Sequence, residues 1–367
     1  MIIFDRLKLV ANPIKLCANY LSYNYARSFK ERPMYPRIMC MYVTYRCNAR
    51  CAICGIWKKN DKKELDLPQM DNILSDNLFR KLEMININGG EPSLRGDLPE
   101  ITGLLIKKFP LLKSITMNTN GFMNEKLTND VESILRKCSE RDIRFSVSVS
   151  LHAIDSTLDV IMGIKDAYKK ILSTIGQLQR LKKNKWFFIS VNCVINNKNA
   201  VSLNEIEEWG KKRDIYVNYT LGEVRDRFNN SGSGDYLSIE EAKKMLIVAF
   251  LKRLSKKRTL FNHHAYRYND LANMLENGRE RRLSCFYAMG GVILGSDGSL
   301  YYCKDSDSIG NCLNESAESI YYRRDNLIYR RKDLIERKCA HCPPNTFNKM
   351  EFAKDLAGYI KYLCRIC

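Results

Sequence analysis

The chain contains no apolar run of the roughly 18 to 20 residues that a membrane-spanning helix needs, so we expect no transmembrane segment. Near its first residue it also lacks the short apolar core and small-residue cleavage site of a secretory signal. We therefore predict a cytoplasmic protein, in whose reducing environment the 14 cysteines are free or bind metal rather than pairing as disulfides. There is no internal repeat and no low-complexity tract, which excludes a solenoid.

Acidic residues are scarce relative to basic ones. The 367 residues include 60 Lys and Arg against 41 Asp and Glu, which gives a formal net charge of +19. This excess favours an anionic partner, such as a phosphorylated substrate, an acidic membrane surface or a nucleic acid. Residues 1–36 are interpreted as a basic, amphipathic helical segment. We expect this segment to pack on the main domain, with peripheral membrane contact as the alternative.

From about residue 37, six short strand-like apolar runs alternate with helix-like amphipathic stretches. This alternation predicts an α/β fold with a parallel sheet. Six units are too few for a closed eight-fold barrel, so we predict a partial (β/α)6 TIM-like barrel over residues 37–228, with its site at the C-terminal ends of the strands. A flexible stretch at 231–234 opens a small second domain, residues 229–367, which contains helices and a β-hairpin that turns at 296–298.

Three cysteines, Cys47, Cys51 and Cys54, directly follow the first predicted strand and have no local fourth partner. A structural zinc site needs four protein ligands, so this spacing does not indicate zinc. Three thiolates on one loop suit a [4Fe–4S] cluster that keeps one iron open for a substrate or cosubstrate.

The Cys-x3-Cys-x2-Cys spacing resembles the signature of the radical S-adenosylmethionine (radical SAM) superfamily. The sequence Gly89-Gly90-Glu91-Pro92, after the second strand, is similar to the family's GGEP motif. The resemblance implies that Cys47, Cys51 and Cys54 hold the cluster and that Gly89, Gly90 and Glu91 bind the methionine amino group of SAM. Glycines allow a backbone to approach a ligand closely, and a carboxylate accepts hydrogen bonds from an ammonium.

The resemblance also implies that polar residues on the next three strands face SAM. They are Asn118, Asn120, Ser148, Ser150 and Asn192. The sequence departs from the family where an arginine commonly grips the SAM carboxylate, because Met162 stands at that position. We expect that role to pass to Lys165 or to the serines.

A second set of cysteines lies downstream. The spacing of Gly298 and Cys303 resembles the C-terminal extension called SPASM, or its shorter form called twitch. A full SPASM run would need a cysteine where Asn348 stands, so the resemblance implies one auxiliary [4Fe–4S] cluster rather than two. Its implied ligands are Cys285, Cys303, Cys339 and Cys342. The alternative is a zinc ribbon built from Cys339, Cys342, Cys364 and Cys367.

The resemblance implies an enzyme that cleaves SAM reductively to a 5′-deoxyadenosyl radical and removes hydrogen from a substrate carbon, with an external electron donor such as flavodoxin or ferredoxin. We predict a carbohydrate, cyclitol or nucleotide-linked sugar as substrate, and dehydrogenation or epimerisation as outcome. Asp305 is the predicted base for an oxidoreductase, and Cys312 the predicted hydrogen donor for an epimerase.

Two alternatives to this substrate class stay open. A peptide-modifying enzyme is the first, although the 35 residues before the barrel offer little room for a leader-binding domain. A non-catalytic iron–sulfur or zinc protein that binds nucleic acid through its charge is the second, but it leaves Gly89-Gly90-Glu91 unexplained.

Metal analysis of anaerobically prepared protein separates the cluster assignments. We expect about eight irons with matching sulfide, as two cubanes require. About four irons together with one zinc would contradict the auxiliary cluster and favour the ribbon.

Overall fold

The computed structural model describes residues 32–59, 63–256, 263–283, 285–345, 358 and 361–362. Most of the predicted N-terminal segment 1–36 lies outside these residues, as do Asn348, Cys364 and Cys367. The chain divides into two compact units. The sheet unit comprises Tyr35–Ile239 and Gly291–Asn326, and the helical unit comprises Met1–Met34, Glu240–Gly290 and Leu327–Cys367.

A sheet of nine strands organises the sheet unit, in the order β6-β5-β4-β3-β2-β1-β7-β8-β9. Strands β1 to β6 are all parallel, β7 is parallel to β1, and β8 and β9 are antiparallel. Their bounds are Ile38–Tyr42, Met84–Asn88, Ser114–Thr119, Arg144–Ser150, Phe187–Ile195, Tyr216–Leu221, Gly291–Leu294, Ser299–Tyr301 and Gly310–Asn311. This architecture confirms the predicted partial (β/α)6 barrel.

Helices follow most of the parallel strands. Those of the sheet unit are α1 Leu67–Leu74, α2 Leu98–Lys108, α3 Asn124–Ser139, α4 Thr157–Met162, α5 Ala167–Arg180, α6 Leu203–Lys212 and α7 Gly234–Leu237, with α11 Ala317–Tyr322 after β9. Local signals fix their ends, as at α1, where Asp66 and Gln69 form a reciprocal capping box.

The two sides of the parallel sheet differ in chemistry because side chains alternate along each strand. In β5, the side chains of Phe187, Ile189, Val191 and Cys193 are buried, as expected for the side that packs against helices. The opposite side carries Arg144, Met84 and Phe188 as well as a set of uncharged amides and hydroxyls, and we call that set the polar face. Its members are Asn86, Asn88, Thr116, Asn118, Ser146, Ser148, Ser150, Ser190, Asn192 and Asn218. Most of them are partly exposed.

The predicted hairpin is present between β7 and β8. Gly298, at φ 83°, takes the left-handed turn conformation, and its amide donates to the Gly295 carbonyl at 3.1 Å. We predicted that the hairpin belongs to a separate domain, residues 229–367, but it lies in the sheet unit. It pairs with β1 and extends the main sheet, which covers backbone groups that an edge strand would leave unpaired.

The helical unit contains α8 Glu241–Ser255, α9 His263–Asn277 and α10 Phe286–Gly290. Helix α12, Arg324–Tyr329, starts in the sheet unit and continues as a π-helix over Arg330–Lys338. Over the described ranges, no helix is long and apolar enough to cross a membrane.

Candidate iron–sulfur and SAM site

The cysteine loop, residues 43–55, leaves the C-terminal end of β1 and carries Cys47, Cys51 and Cys54. All three thiols are free and partly exposed, and the Cys54 amide donates to the Cys51 carbonyl at 3.2 Å. Burial raises the pKa of Cys47 to about 11, and burial together with the neighbouring sulfurs raises the pKa of Cys51. Metal ligation requires deprotonated thiols, and a positively charged metal core would favour that form here.

Three cysteine thiols on one loop are a donor set that fits a [4Fe–4S] cluster. In the part of the chain that the structure describes, no three His, Cys, Asp or Glu side chains converge as ligands of one metal ion. A cubane spreads its thiolates over separate irons, so its cysteines need to be near neighbours without meeting at one point. Cys47, Cys51 and Cys54 lie within eight residues of one loop, and the Cys54 amide donates to the Cys51 carbonyl at 3.2 Å.

The Gly-Gly-Glu segment after β2 holds the first part of the cysteine loop. The Gly90 amide donates to the Thr44 carbonyl at 2.8 Å, and the Glu91 amide donates to the Arg46 carbonyl at 2.8 Å. A Cβ on Gly90 would lie 2.1 Å from the Arg46 carbonyl oxygen, and one on Gly89 would lie 2.4 Å from that of Thr44. These glycines are therefore needed for close approach to the cysteine loop, a reason that the motif alone does not reveal.

Glu91 is fully buried and ties the end of β2 to the end of β3. Its carboxylate accepts hydrogen bonds from the Ser93 amide at 3.1 Å, the Ser93 hydroxyl at 2.7 Å, the Thr119 hydroxyl at 2.7 Å and the Asn120 amide at 2.7 Å. Burial raises the pKa of Glu91, and these donors oppose the shift. Most of its acceptor capacity is used inside the protein, so Glu91 also positions the loop residues around it.

Asn120 connects β3 to the cysteine loop. Its side-chain amide donates to Asn48 Oδ1 at 2.7 Å and points at Cys47 Sγ at 3.8 Å. The predicted residue therefore lies beside the first cysteine. Asn48 was not predicted, because nothing in its sequence context distinguishes it from a turn residue.

The C-terminal end of α4 holds the middle of the cysteine loop. The Arg50 amide donates to the Met162 carbonyl at 3.0 Å, and the Ala52 amide donates to the Ile161 carbonyl at 2.8 Å. Gly163, at φ 63°, caps the helix, and a Cβ there would lie 2.6 Å from the Arg50 carbonyl oxygen. Met162 thus contributes through its backbone, while its side chain is buried in the core.

The crossing segment, residues 222–230, follows β6 and returns to the last part of the cysteine loop. The Gly55 amide donates to the Phe228 carbonyl at 2.8 Å, and the Asn230 side-chain amide donates to the Ile53 carbonyl at 3.0 Å. The loop is therefore fixed from three directions by backbone hydrogen bonds.

Four of the predicted cofactor residues share the polar face. Asn118 pairs with Ser148 in register, and Ser150 pairs with Asn192. Two further amides extend these rows: Asn118 Nδ2 donates to Asn88 Oδ1 at 2.5 Å, and Asn218 Nδ2 donates to Asn192 Oδ1 at 2.8 Å. Asn88 in β2 and Asn218 in β6 alternate with apolar residues. This alternation is the sequence signal from which both residues could have been predicted.

His152, which follows β4, is a structural residue. Burial lowers its pKa to about 4, so the ring is neutral at pH 7. Its Nδ1 accepts a hydrogen bond from the Val194 amide at 3.1 Å.

Asp305, the predicted base, forms an ion pair with buried Arg225 of the crossing segment, which also pairs with Glu223. Cys312, the predicted hydrogen donor, is buried, and its pKa is raised to about 12 by burial, with Asp76 and Glu315 as its charged neighbours. The structure brings Asp305 to the crossing segment, and it shows no contact of Cys312 with the cysteine loop among the described residues.

The helical unit brings three of the four predicted auxiliary ligands onto adjoining segments. The Arg281 amide, four residues before Cys285, donates to the Ala340 carbonyl at 2.7 Å. Ala340 lies between Cys339 and Cys342 in the sequence. Cys285, Cys339 and Cys342 all belong to the helical unit. Cys303 belongs to the sheet unit, and its assignment to the same cluster stays a prediction.

The parallel sheet and its three-cysteine loop define an α/β enzyme domain of the iron–sulfur class. Residues 41–209 match the Radical SAM superfamily, so the chain contains a radical SAM domain. The cofactors of this family are a [4Fe–4S] cluster and SAM.

Several curated proteins are similar in sequence. A probable GTP 3′,8-cyclase of Sulfolobus acidocaldarius is 26% identical over 174 residues, which is 47% of this chain and 51% of that protein. A putative glycyl-radical enzyme activating enzyme of Methanocaldococcus jannaschii is 28% identical over 170 residues, 46% of this chain and 60% of its own length. The chain thus spans about half the length of the GTP 3′,8-cyclases that it matches.

Solved structures share the fold. The structure titled anSMEcpe with bound AdoMet has a TM-score of 0.58 at 16% identity, covering 90% of this chain and 100% of that one. SuiB of Streptococcus suis bound to S-adenosylmethionine has a TM-score of 0.56 at 14% identity, covering 81% and 68%.

The close approach at Gly90 generates a prediction. We expect Gly90→Ala to displace the cysteine loop at a cost of about 1–3 kcal/mol, because the new methyl group meets a backbone carbonyl that cannot rotate away. Iron and sulfide content after reconstitution, with the thermal midpoint, measures the effect. Gly96→Ala is the matched control, because its Cβ would meet no atom within 4 Å. Equal iron loading of the two variants would contradict this role.

Proposed function

We propose that the protein is a radical SAM enzyme that abstracts hydrogen from a hydroxyl-rich small molecule, namely a carbohydrate, a cyclitol or a nucleotide-linked sugar. The observation that carries this proposal is the polar face, whose side chains are uncharged amides and hydroxyls at the same side of the sheet as the cofactor residues. Carboxamides both donate and accept hydrogen bonds, so they match the hydroxyl groups of a sugar.

In this proposal Cys47, Cys51 and Cys54 hold the [4Fe–4S] cluster, and Gly89, Gly90 and Glu91 hold the amino group of SAM. When bound, the cluster and SAM supply a 5′-deoxyadenosyl radical, which removes a hydrogen atom from carbon. Asn118, Asn120, Ser148, Ser150 and Asn192 orient SAM and the substrate. An external one-electron donor such as flavodoxin or ferredoxin belongs to the same proposal.

The residues themselves contribute orientation. The carboxamides of Asn118 and Asn192 each form one hydrogen bond to a neighbouring asparagine. That bond fixes the direction in which the other atoms of the carboxamide point. Side chains held in this way present donors and acceptors in set positions, so a bound sugar exposes one C–H bond rather than many. A radical reaction requires selectivity for one C–H bond, and such positioning of the substrate would provide it.

We propose dehydrogenation in preference to epimerisation. Arg225 keeps the Asp305 carboxylate oriented, and an ionised carboxylate can accept the proton that an oxidised alcohol releases. Cys285, Cys303, Cys339 and Cys342 would hold an auxiliary cluster, which would supply one-electron acceptance. Cys312 supports epimerisation less well, because it is buried beside Asp76 and Glu315.

A peptide substrate is the second candidate. It is favoured by the likeness in fold to SuiB bound to its precursor peptide SuiA, with a TM-score of 0.57 at 13% identity. The names of the curated relatives favour the first candidate, since GTP 3′,8-cyclases act on a nucleotide. The net charge of +19 suits an anionic, phosphate-bearing substrate.

Replacement of the three cysteines tests the chemistry. We expect Cys47→Ala, Cys51→Ala and Cys54→Ala each to reduce 5′-deoxyadenosine formation from SAM and dithionite to background, because each removes a ligand of the cluster. Cys138→Ala, on helix α3 and buried in the apolar core, is the control that should retain activity. Persistence of 5′-deoxyadenosine in the three site variants would remove the proposal.

Turnover in D2O tests the outcome. With sugar phosphates, cyclitols and nucleotide sugars as candidate substrates, we expect one ketone per 5′-deoxyadenosine and no deuterium at carbon. Deuterium at an inverted carbon would instead support epimerisation and a thiol donor.

A further inference from the structure

The crossing segment carries two arginines with different surroundings. Arg225 forms ion pairs with both Glu223 and Asp305. Arg227, two residues further on, forms no ion pair with any carboxylate among the residues that the structure describes. Glu223 and Asp305 are thus paired with Arg225, and neither forms an ion pair with Arg227.

Two tyrosine rings enclose the Arg227 guanidinium. Its Cζ lies 4.5 Å from the ring centroid of Tyr42 and 4.2 Å from that of Tyr301. Nη1 donates to the Cys303 carbonyl at 3.3 Å. Nε and Nη2 are buried from water and have no hydrogen-bond partner within the described ranges. A buried cation with two unsatisfied donors is unfavourable unless a ligand completes it.

The two unsatisfied donors have a specific geometry. Nε and Nη2 form one edge of the guanidinium plane, and their N–H groups point in the same direction. This fork matches the two oxygens of a carboxylate or a phosphate, which bind it through two parallel hydrogen bonds. The two tyrosine rings and the bond to the Cys303 carbonyl restrict the movement of the guanidinium.

The guanidinium also lies on the side of the sheet where we place the substrate. Tyr42 and Cys40 stand on that side, since they pair in register with Asn88 and Asn86 of the polar face. Tyr301 shares it, because it pairs with Ile293, which in turn pairs with Cys40. Tyr301 and Arg227 are partly exposed as residues, whereas Nε and Nη2 are buried, so a ligand would reach the fork only after these side chains move.

We propose that Arg227 is the receptor for an oxyanion of the substrate, a phosphate or a carboxylate group, held between Tyr42 and Tyr301. The inference rests on the proposed function in taking this anion to be part of the substrate. It narrows the substrate class from hydroxyl-rich molecules in general to acidic ones, such as sugar phosphates, nucleotide sugars or sugar acids.

The experiment is a titration of the anaerobically reconstituted protein with inorganic phosphate and, separately, with acetate. Isothermal titration calorimetry measures the binding, and the thermal unfolding midpoint measures the effect of each anion on stability. We expect at least one probe to bind, Arg227→Gln to weaken that binding about tenfold or more, and Arg227→Lys to weaken it less. Arg144→Gln is the matched control, because the Arg144 guanidinium is exposed and lies 4.6 Å from the ring centroid of Phe188. Without a probe, Arg227→Gln should unfold at or above the wild-type midpoint, because it removes an uncompensated charge.

Three results would overturn the inference. The first is the absence of binding by both probes to the wild type, and the second is equal binding to the wild type and Arg227→Gln. The third is loss of probe binding at saturating SAM, which would assign the fork to the SAM carboxylate. The titration requires no SAM cleavage, so it is independent of the cysteine test. Probe binding without 5′-deoxyadenosine formation would contradict the proposed function alone. Formation of 5′-deoxyadenosine without probe binding would contradict the oxyanion site alone.

Discussion

Backbone hydrogen bonds to the cysteine loop are the constraint on which the rest of the site depends. The loop has little regular structure of its own, yet Gly90, Met162 and Phe228, which come from three separate parts of the chain, each contribute a backbone group that fixes it. Because these contacts come from the end of β2, the end of α4 and the crossing segment after β6, the elements around the loop fix its backbone. Side-chain substitutions such as methionine for arginine at position 162 are compatible with this arrangement, since the peptide carbonyl makes the contact.

The division of the sheet into two chemically different sides explains how the fold carries both stability and function. Most apolar side chains on the helix-facing side of β2 to β6 are buried and supply hydrophobic stabilisation. The polar face has uncharged amides and hydroxyls, and four of its asparagines are hydrogen-bonded to one another in pairs. In the crossing segment, Arg225 forms ion pairs with Glu223 and Asp305, while Arg227 forms none among the described residues. Amides that can bind hydroxyl groups, and one guanidinium that can bind an anion, support our proposal of a phosphorylated or otherwise acidic sugar as substrate.

Periodicity and motif spacing predicted much of the fold and part of the site. The six parallel strands, the cysteine loop after β1 and the turn at Gly298 depend on local patterns, which a sequence displays directly. The pairing of β7 with β1 could not be predicted, because strand register depends on contacts more than 200 residues apart. The hydrogen bonds of Glu91 inside the protein, and the lack of an ion pair at Arg227 among the described residues, could not be predicted for the same reason. Tertiary structure decides which partners a buried charged group contacts.

Electron paramagnetic resonance of the reduced protein, recorded with and without SAM, tests the central claim most directly. If three cysteines leave one iron of the first cluster open, SAM should alter the spectrum of the reduced cluster, and Cys51→Ala should abolish that change. Spectra that are identical with and without SAM would contradict an open iron and, with it, the account of this site.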